Sequence, residues 1–167
     1  QKNSNIIFYS LSRSFLKEIY SYCFKDNPKF DYFTKIKRSQ LIYKKEYIDI
    51  LTNIFNSLNK FLKLDGFISF NIFYYAEKHF EEVCVNLNKK FIILHKESVL
   101  TPNEEANYPK AYKKYNQPSK SHKISVYSKS QKKILIQSGI ANKNQIKING
   151  CPRSDYSFKL RKIHPKK

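Results

Sequence analysis

Only three glycines occur in the 167 residues, and none lies in a G-x-G-x-x-G or Walker A pattern. The usual glycine-rich phosphate cradles are therefore excluded. Cysteine is equally sparse. Cys23, Cys84 and Cys151 form no C-x-x-C pair and no zinc spacing with His79, His95, His122 or His164. That pattern argues against a metal site and reads as reduced, structural thiols in a cytoplasmic protein. No apolar run approaches the length of a membrane span. The stretch "NIIFY" near the start is too short for a signal-peptide core and has no cleavage pattern behind it. Helix-turn-helix, RNP and zinc-finger signatures are missing too. No bound cofactor is expected.

What the chain does hold is apolar and basic. Hydrophobic residues make up 41% of it, with 13 Phe and 13 Tyr, which rules out a disordered tail. Its length suits one domain with a proper core. It begins at Gln1 rather than Met, as a piece of a longer protein would. The net charge of +19 is uneven. Residues 106–167 carry 16 Lys or Arg and a single acid, Asp155, whereas residues 1–105 carry 16 basic and 12 acidic residues. Such a field draws nucleic acid, anionic lipid or a phosphate-bearing substrate. Compositional drift is the competing source, since Lys, Asn, Ile, Phe and Tyr are residues of AT-rich codons.

Hydrophobic spacing divides the chain. In residues 39–62, Ile48, Leu51, Phe55, Leu58 and Leu62 fall on one helical face. Residues 12–24 form a weaker helix, broken by Asn27–Pro28. After Gly66 the rhythm becomes strand, helix, strand. "FISFN" (67–71), "KFIIL" (90–94), "KISVY" (123–127) and "QIKIN" (145–149) read as strands. Residues 72–87 form a helix with Phe73, Ala76, Phe80, Val83, Cys84 and Leu87 on one side. A polar loop with Pro102 and a short tyrosine-rich helix near residues 108–115 follow the second strand. Ser128 and Gln131 make a capping-box pattern for a helix ending at Gly139.

This order predicts right-handed βαβ units on a parallel sheet: an α/β, Rossmann-like three-layer domain with a helical N-terminal extension. The expected divisions are residues 1–65 for the extension, 66–155 for the domain, and 156–167 for a basic tail or linker. Nearly continuous apolar strands suggest a sheet covered on both faces. Ligands of such folds bind beyond the carboxyl ends of the strands. That edge carries Asn71, "HKES" (His95, Lys96, Glu97, Ser98), Ser128, Lys129, and the turn from Gly150 to Asp155.

Three segments in order bear a family likeness: "LHKES" after an apolar strand, "ISVYSKSQKKILIQSGI", and "IKINGCPRSD". The progression Ser128, Lys132, Leu135, Gly139, Lys147, Ile148, Gly150, Pro152, Arg153, Asp155 resembles the N-terminal half of GT-B type transferases of surface-carbohydrate synthesis (capsule and lipopolysaccharide), relatives of the CDP-glycerol glycerophosphotransferases. The likeness covers roughly residues 66–155. It implies the acceptor-side domain of a two-domain enzyme, with the donor domain missing from this chain and the chain inactive alone. It also implies a nucleotide-activated sugar or polyol donor and a carbohydrate or lipid-linked acceptor.

Transfer to a hydroxyl needs a base, and His95, oriented or replaced by Glu97, is the candidate catalytic pair. In an extended segment both point one way and Lys96 the other. The glycerophosphotransferases have a His-Gly-Thr-Pro type of turn at this place, where this chain has "HKES". Substrate-binding candidates are Asn71, Lys96, Ser98, Ser128, Lys129, Arg153 and Asp155. Each has a plainer explanation. His95 would simply bond its loop, Lys96 would be a solvated lysine, Asn71 a helix cap, and Arg153–Asp155 an ion pair in a closing turn stiffened by Pro152. Tyr108, Tyr112 and Tyr115 stack on a sugar ring or pack in the core. His79 and His122 are expected at the surface or on helices, and His164 in the basic tail. Two other functions compete: a non-catalytic, basic nucleic-acid-binding module, and half of a UDP-sugar 2-epimerase-like enzyme.

Overall fold

The computed structural model describes residues 6–25, 37–96, 100–114 and 117–151. Among them are five α-helices and a four-stranded, wholly parallel sheet. The fold class is the expected one, an α/β, Rossmann-like fragment of the three-layer kind. The described residues supply the sheet and the helices on one of its faces.

Helix α1 (Arg13–Cys23) begins where Ser12 Oγ accepts from Ser14 N, and it buries Leu16, Tyr20 and Cys23. After a 3-10 turn at Arg38–Gln40 comes α2 (Leu41–Leu62), which buries Tyr47, Ile48, Leu51 and Phe55. Leu58, expected on that inner face, is partly exposed, because the apolar stripe outruns the surface it packs on. The helix ends at Lys63 in the left-handed region. Strand β1 (Gly66–Ser69), α3 (Tyr75–Asn86), β2 (Lys90–Leu94), α4 (Pro102–Lys113), β3 (Lys123–Val126), α5 (Lys129–Gln137) and β4 (Ile146–Ile148) follow. No described helix is long and apolar enough to cross a membrane.

The strand order is β1-β2-β3-β4. Each crossover therefore steps the same way. Right-handed crossovers that never reverse put their helices on one face. Burial agrees. Ser69, Phe91, Ile93, Ile124, Val126 and Ile146 are buried, and they share a face by register. Phe80 of α3 meets Phe67 and Phe91 from that side, and Phe55 of α2 closes an edge-to-face triangle with Phe67 and Phe80 at 5.0–5.2 Å. Such aromatic pairs add roughly 0.5–1.5 kcal/mol each beyond the area they bury.

Residues of opposite parity face away. Ile68 is 45% exposed and Leu94 40% exposed. Among the described residues, then, helices cover one face of the sheet. Alternation of exposure could not have revealed this from sequence, since both parities are apolar.

Two helix starts also differ from expectation. The tyrosine-rich helix is longer than predicted. It begins at Pro102, with Thr101 and Glu104 in a reciprocal capping box. Proline at the first helical position starts helices as readily as it interrupts them. In α5 the box is half made. Ser128 Oγ accepts from Gln131 N at 3.1 Å, but the Gln131 amide turns into the core. The α5 end is as predicted: Gly139 has φ +73°, and Ile140 N donates back to Leu135 O.

Candidate functional site

The carboxyl edge of the sheet is tied laterally beyond the formal strand ends. Lys96 N donates to Phe70 O, His95 N to Ser125 O, and Asn149 N to Val126 O. The segments after β1 and β2 are thereby tied to each other, and those after β2 and β4 to the end of β3, so that Asn71, His95, Lys96, Ser128 and Lys129 come to one edge.

Asn71 is buried. Its Oδ1 accepts from Phe73 N at 2.6 Å and Tyr74 N at 3.2 Å, which shapes the turn leading into α3. The capping role expected of it is real, although the N-cap position itself is Tyr74. Ser128 caps α5 and Lys129 opens it, exposed.

His95 continues the parity of Phe91 and Ile93, so its ring enters the helix-covered side. It is 1% exposed. Phe73 stands edge-on to it at 5.9 Å, Tyr112 leans on Phe73 at 4.6 Å, and Tyr108 stacks on Tyr112 at 5.0 Å. The tyrosines thus pack in a row that closes over the histidine. A base must touch the hydroxyl it deprotonates, so in this arrangement His95 is shielded. Its intended companion Glu97 lies outside the described residues, as do Ser98, Tyr115, Pro152, Arg153, Asp155 and His164.

Sequence reasoning missed a charged cluster at the same edge. Arg13, at the start of α1, pairs with Glu77 (Nε to Oε1 3.5 Å) and lies 4.1 Å over the Tyr74 ring. Lys96 Nζ approaches the same ring at 5.8 Å. Ser69 Oγ donates to Glu77 Oε2 at 3.2 Å. Burial pushes the Glu77 carboxyl above its ordinary range, against Arg13, Ser69 and Lys96, which pull it down. Two cations, a carboxylate and a phenol ring thus meet where β1 ends. Arg13 lies more than fifty residues from Tyr74, so no local motif could announce the group.

A second polar network sits at the opposite edge. Glu81 of α3 is buried, accepting from Ser119 Oγ at 2.9 Å and Lys120 N at 2.6 Å, with Lys78 Nζ 3.7 Å away. Gln145 Nε2 donates to the carbonyls of Ser119 and Ser121. Burial raises the Glu81 carboxyl, with Lys78 opposing, and burial lowers the Lys78 ammonium. This network pins the segment before β3 onto α3 and faces no ligand edge. His79 stands on α3 but is buried, parallel to Tyr20 at 6.0 Å, whereas His122 is exposed. Cys23 and Cys84 are buried too. Burial lifts the Cys23 thiol to about 11 and Cys84 higher still, which makes both inert. Among the described residues no three His, Cys, Asp or Glu side chains gather as metal ligands. No family model, no curated protein and no solved structure matches this chain.

Proposed function

We propose that this chain is the acceptor-side part of a GT-B type transferase of surface-polysaccharide synthesis. In the intact enzyme an acceptor hydroxyl attacks a nucleotide-activated sugar or polyol phosphate held by a donor domain. The observation that carries this reading is the run from Ser128 to Gly150. Five of the seven described residues of the resemblance have a physical task in one strand–helix–strand unit, while Lys147 and Ile148 of β4 are exposed. Ser128 caps α5 and Leu135 fills the core. Lys132 Nζ donates to Ile146 O at 3.1 Å, binding α5 to β4. Gly139 and Gly150 take positive φ angles that other residues adopt with difficulty.

Under this reading His95 takes the acceptor proton and Glu97 orients it, once the Phe73–Tyr112 pair swings aside. Lys96, Ser98 and Lys129 line the acceptor's approach, with Asn71 and Ser128 shaping the turns behind it and Arg153–Asp155 closing the domain. The basic surface holds the protein at an anionic inner leaflet, where lipid-linked acceptors reside.

The test is ligand-observed NMR of this chain with a panel of hexose and N-acetylhexosamine disaccharides. Saccharide binding that weakens in Lys96→Ala supports the reading. Absence of saccharide binding, with tight and steeply salt-dependent binding to any DNA or RNA oligomer, would replace it by the nucleic-acid-binding module, which the +19 charge favours.

A further inference from the structure

Residues 6–11, "IIFYSL", belong to no helix or strand, yet they are among the most apolar in the chain. Phe8 is 74% exposed, and Ile6, Ile7 and Tyr9 are nearly as open. β-branched and aromatic residues in an unbroken run describe a strand buried on both faces, the kind found inside parallel sheets. The sheet has a place for one. Among the described residues β1 pairs only with β2, so its outer edge presents unpaired backbone groups.

The two are already held together at the correct end. Ser12 caps α1, and Arg13 pairs with Glu77, which accepts from Ser69, the last residue of β1. The segment's carboxyl end therefore stands beside the carboxyl end of β1, as a parallel neighbour requires. From there the chain runs through α1 and α2, which pack against α3 on the covered side of the sheet, and enters β1 at its start. A crossover of that length on that face suits a parallel pair. Right-handedness then sets the incoming strand on the side of β1 away from β2. Six extended residues span about 20 Å, enough to cover the four of β1.

We propose that Ile6–Leu11 docks on the free edge of β1 of its own chain as a fifth parallel strand, at the head of the order β1-β2-β3-β4. Docking adds Ser10–Arg13 to the carboxyl edge that holds Asn71, Tyr74 and Lys96. This inference does not depend on the transferase reading.

Amide hydrogen exchange on the full chain, run with Phe8→Pro alongside, tests it. As the outermost strand it would turn alternate amides to β1 and the others to solvent, so Ile7→Pro is run as well: proline is harmless in a free extended segment, and one of the two neighbouring prolines removes a ladder donor from a docked strand. Expected are exchange of alternate residues, either 7 and 9 or 8 and 10, slowed about 100-fold or more relative to an unstructured peptide, unchanged on tenfold dilution, and faster exchange within residues 67–69 in the proline variant at the protected parity. Unprotected exchange at all of residues 7–10, or Ile7→Pro and Phe8→Pro chains both identical to wild type, would overturn the proposal. Protection that disappears on dilution would overturn it as well, assigning the strand to a second copy.

Discussion

His79 offers the sharpest quantitative test of the fold. Its ring is 4% exposed, stacked parallel to Tyr20, which itself stacks on Phe24 and meets Tyr47 edge-on. Burial lowers its pKa from 6.5 to about 3, with Lys44 adding to the effect and Glu82 opposing it. The folded state therefore keeps the imidazole neutral while the unfolded chain protonates near 6.5. Between those values the unfolded state binds more protons, so stability rises with pH and is lost as pH falls through 6.5. At pH 5 the unfolded state has gained about 1.5 units of proton-binding advantage, which is about 2 kcal/mol. Glu77 and Glu81 act in the other direction, because carboxyls raised by burial favour the folded state as pH falls. The wild-type curve alone would mix these terms. Urea unfolding of wild type and His79→Leu at pH 7.5 and pH 5 separates them. Whatever the constant effect of the substitution, wild type should lose about 2 kcal/mol more than the variant over this interval. Parallel losses would show that His79 is protonated in the folded state or exposed, and the stacked, buried geometry would be wrong.

Three substitutions probe other contacts. A Cβ at Gly66 would stand 2.7 Å from the backbone oxygen of Lys90, so Gly66→Ala must part β1 from β2; a loss of about 1–3 kcal/mol is expected in chemical denaturation, and a neutral result would mean the strands lie further apart. Gln131 is fully buried with neither amide atom bonded among the described residues, so Gln131→Met should hold or raise the thermal midpoint, whereas a loss above about 1 kcal/mol would reveal a partner for the amide. Glu81→Ala strips Ser119, Lys120 and Lys78 of their shared acceptor and should cost about 3–5 kcal/mol, with faster amide exchange at residues 119–121; an unaffected midpoint would remove Glu81 as the anchor of that segment.

The helices and strands were legible because each is a local pattern. Ile48, Leu51 and Phe55 keep the helical period, and the four strands are short apolar runs that end at polar residues or glycine: Asn71, His95, Ser128 and Gly150 mark the four ends. The parallel sheet followed from their alternation with helices. Strand order did not, because no residue pattern within β1 or β4 names its neighbour. The exposed face escaped for a related reason: Ile68, Ile92 and Leu94 are as apolar as Phe91 and Ile93 on the covered face. At the site, the edge itself and the capping duties of Asn71 and Ser128 could be anticipated from position. The burial of His95 could not, since Phe73 closes on it from the turn before α3, and Tyr112, from α4, backs Phe73. Glu81 reads as a solvated acid on a lysine-rich helix until Ser119 and Lys120, thirty-eight and thirty-nine residues away, are folded against it.

Strand order also bears on where a ligand can lie. In doubly wound sheets the crevice opens where the order reverses, because neighbouring loops there part to opposite faces. Among the described strands nothing reverses, and the segments after β1 and β2 are instead stitched together through Phe70–Lys96, with His95 held on β3 through Ser125. The exposed face carries Lys90, Lys123 and Lys147 in register with Gly66, Ile92 and Ser125, alongside Ile68 and Leu94. Two such faces would bring lysines together, so self-stacking of the apolar residues is opposed by charge, and the screening of that opposition by salt is calculable. Each pair of lysines at about 5 Å and an effective dielectric near 20 repels by roughly 3 kcal/mol before screening. Sedimentation from low salt to 1 M salt should therefore show a monomer giving way to larger species only as salt rises. Association already complete at low salt would mean that the lysines do not guard this face.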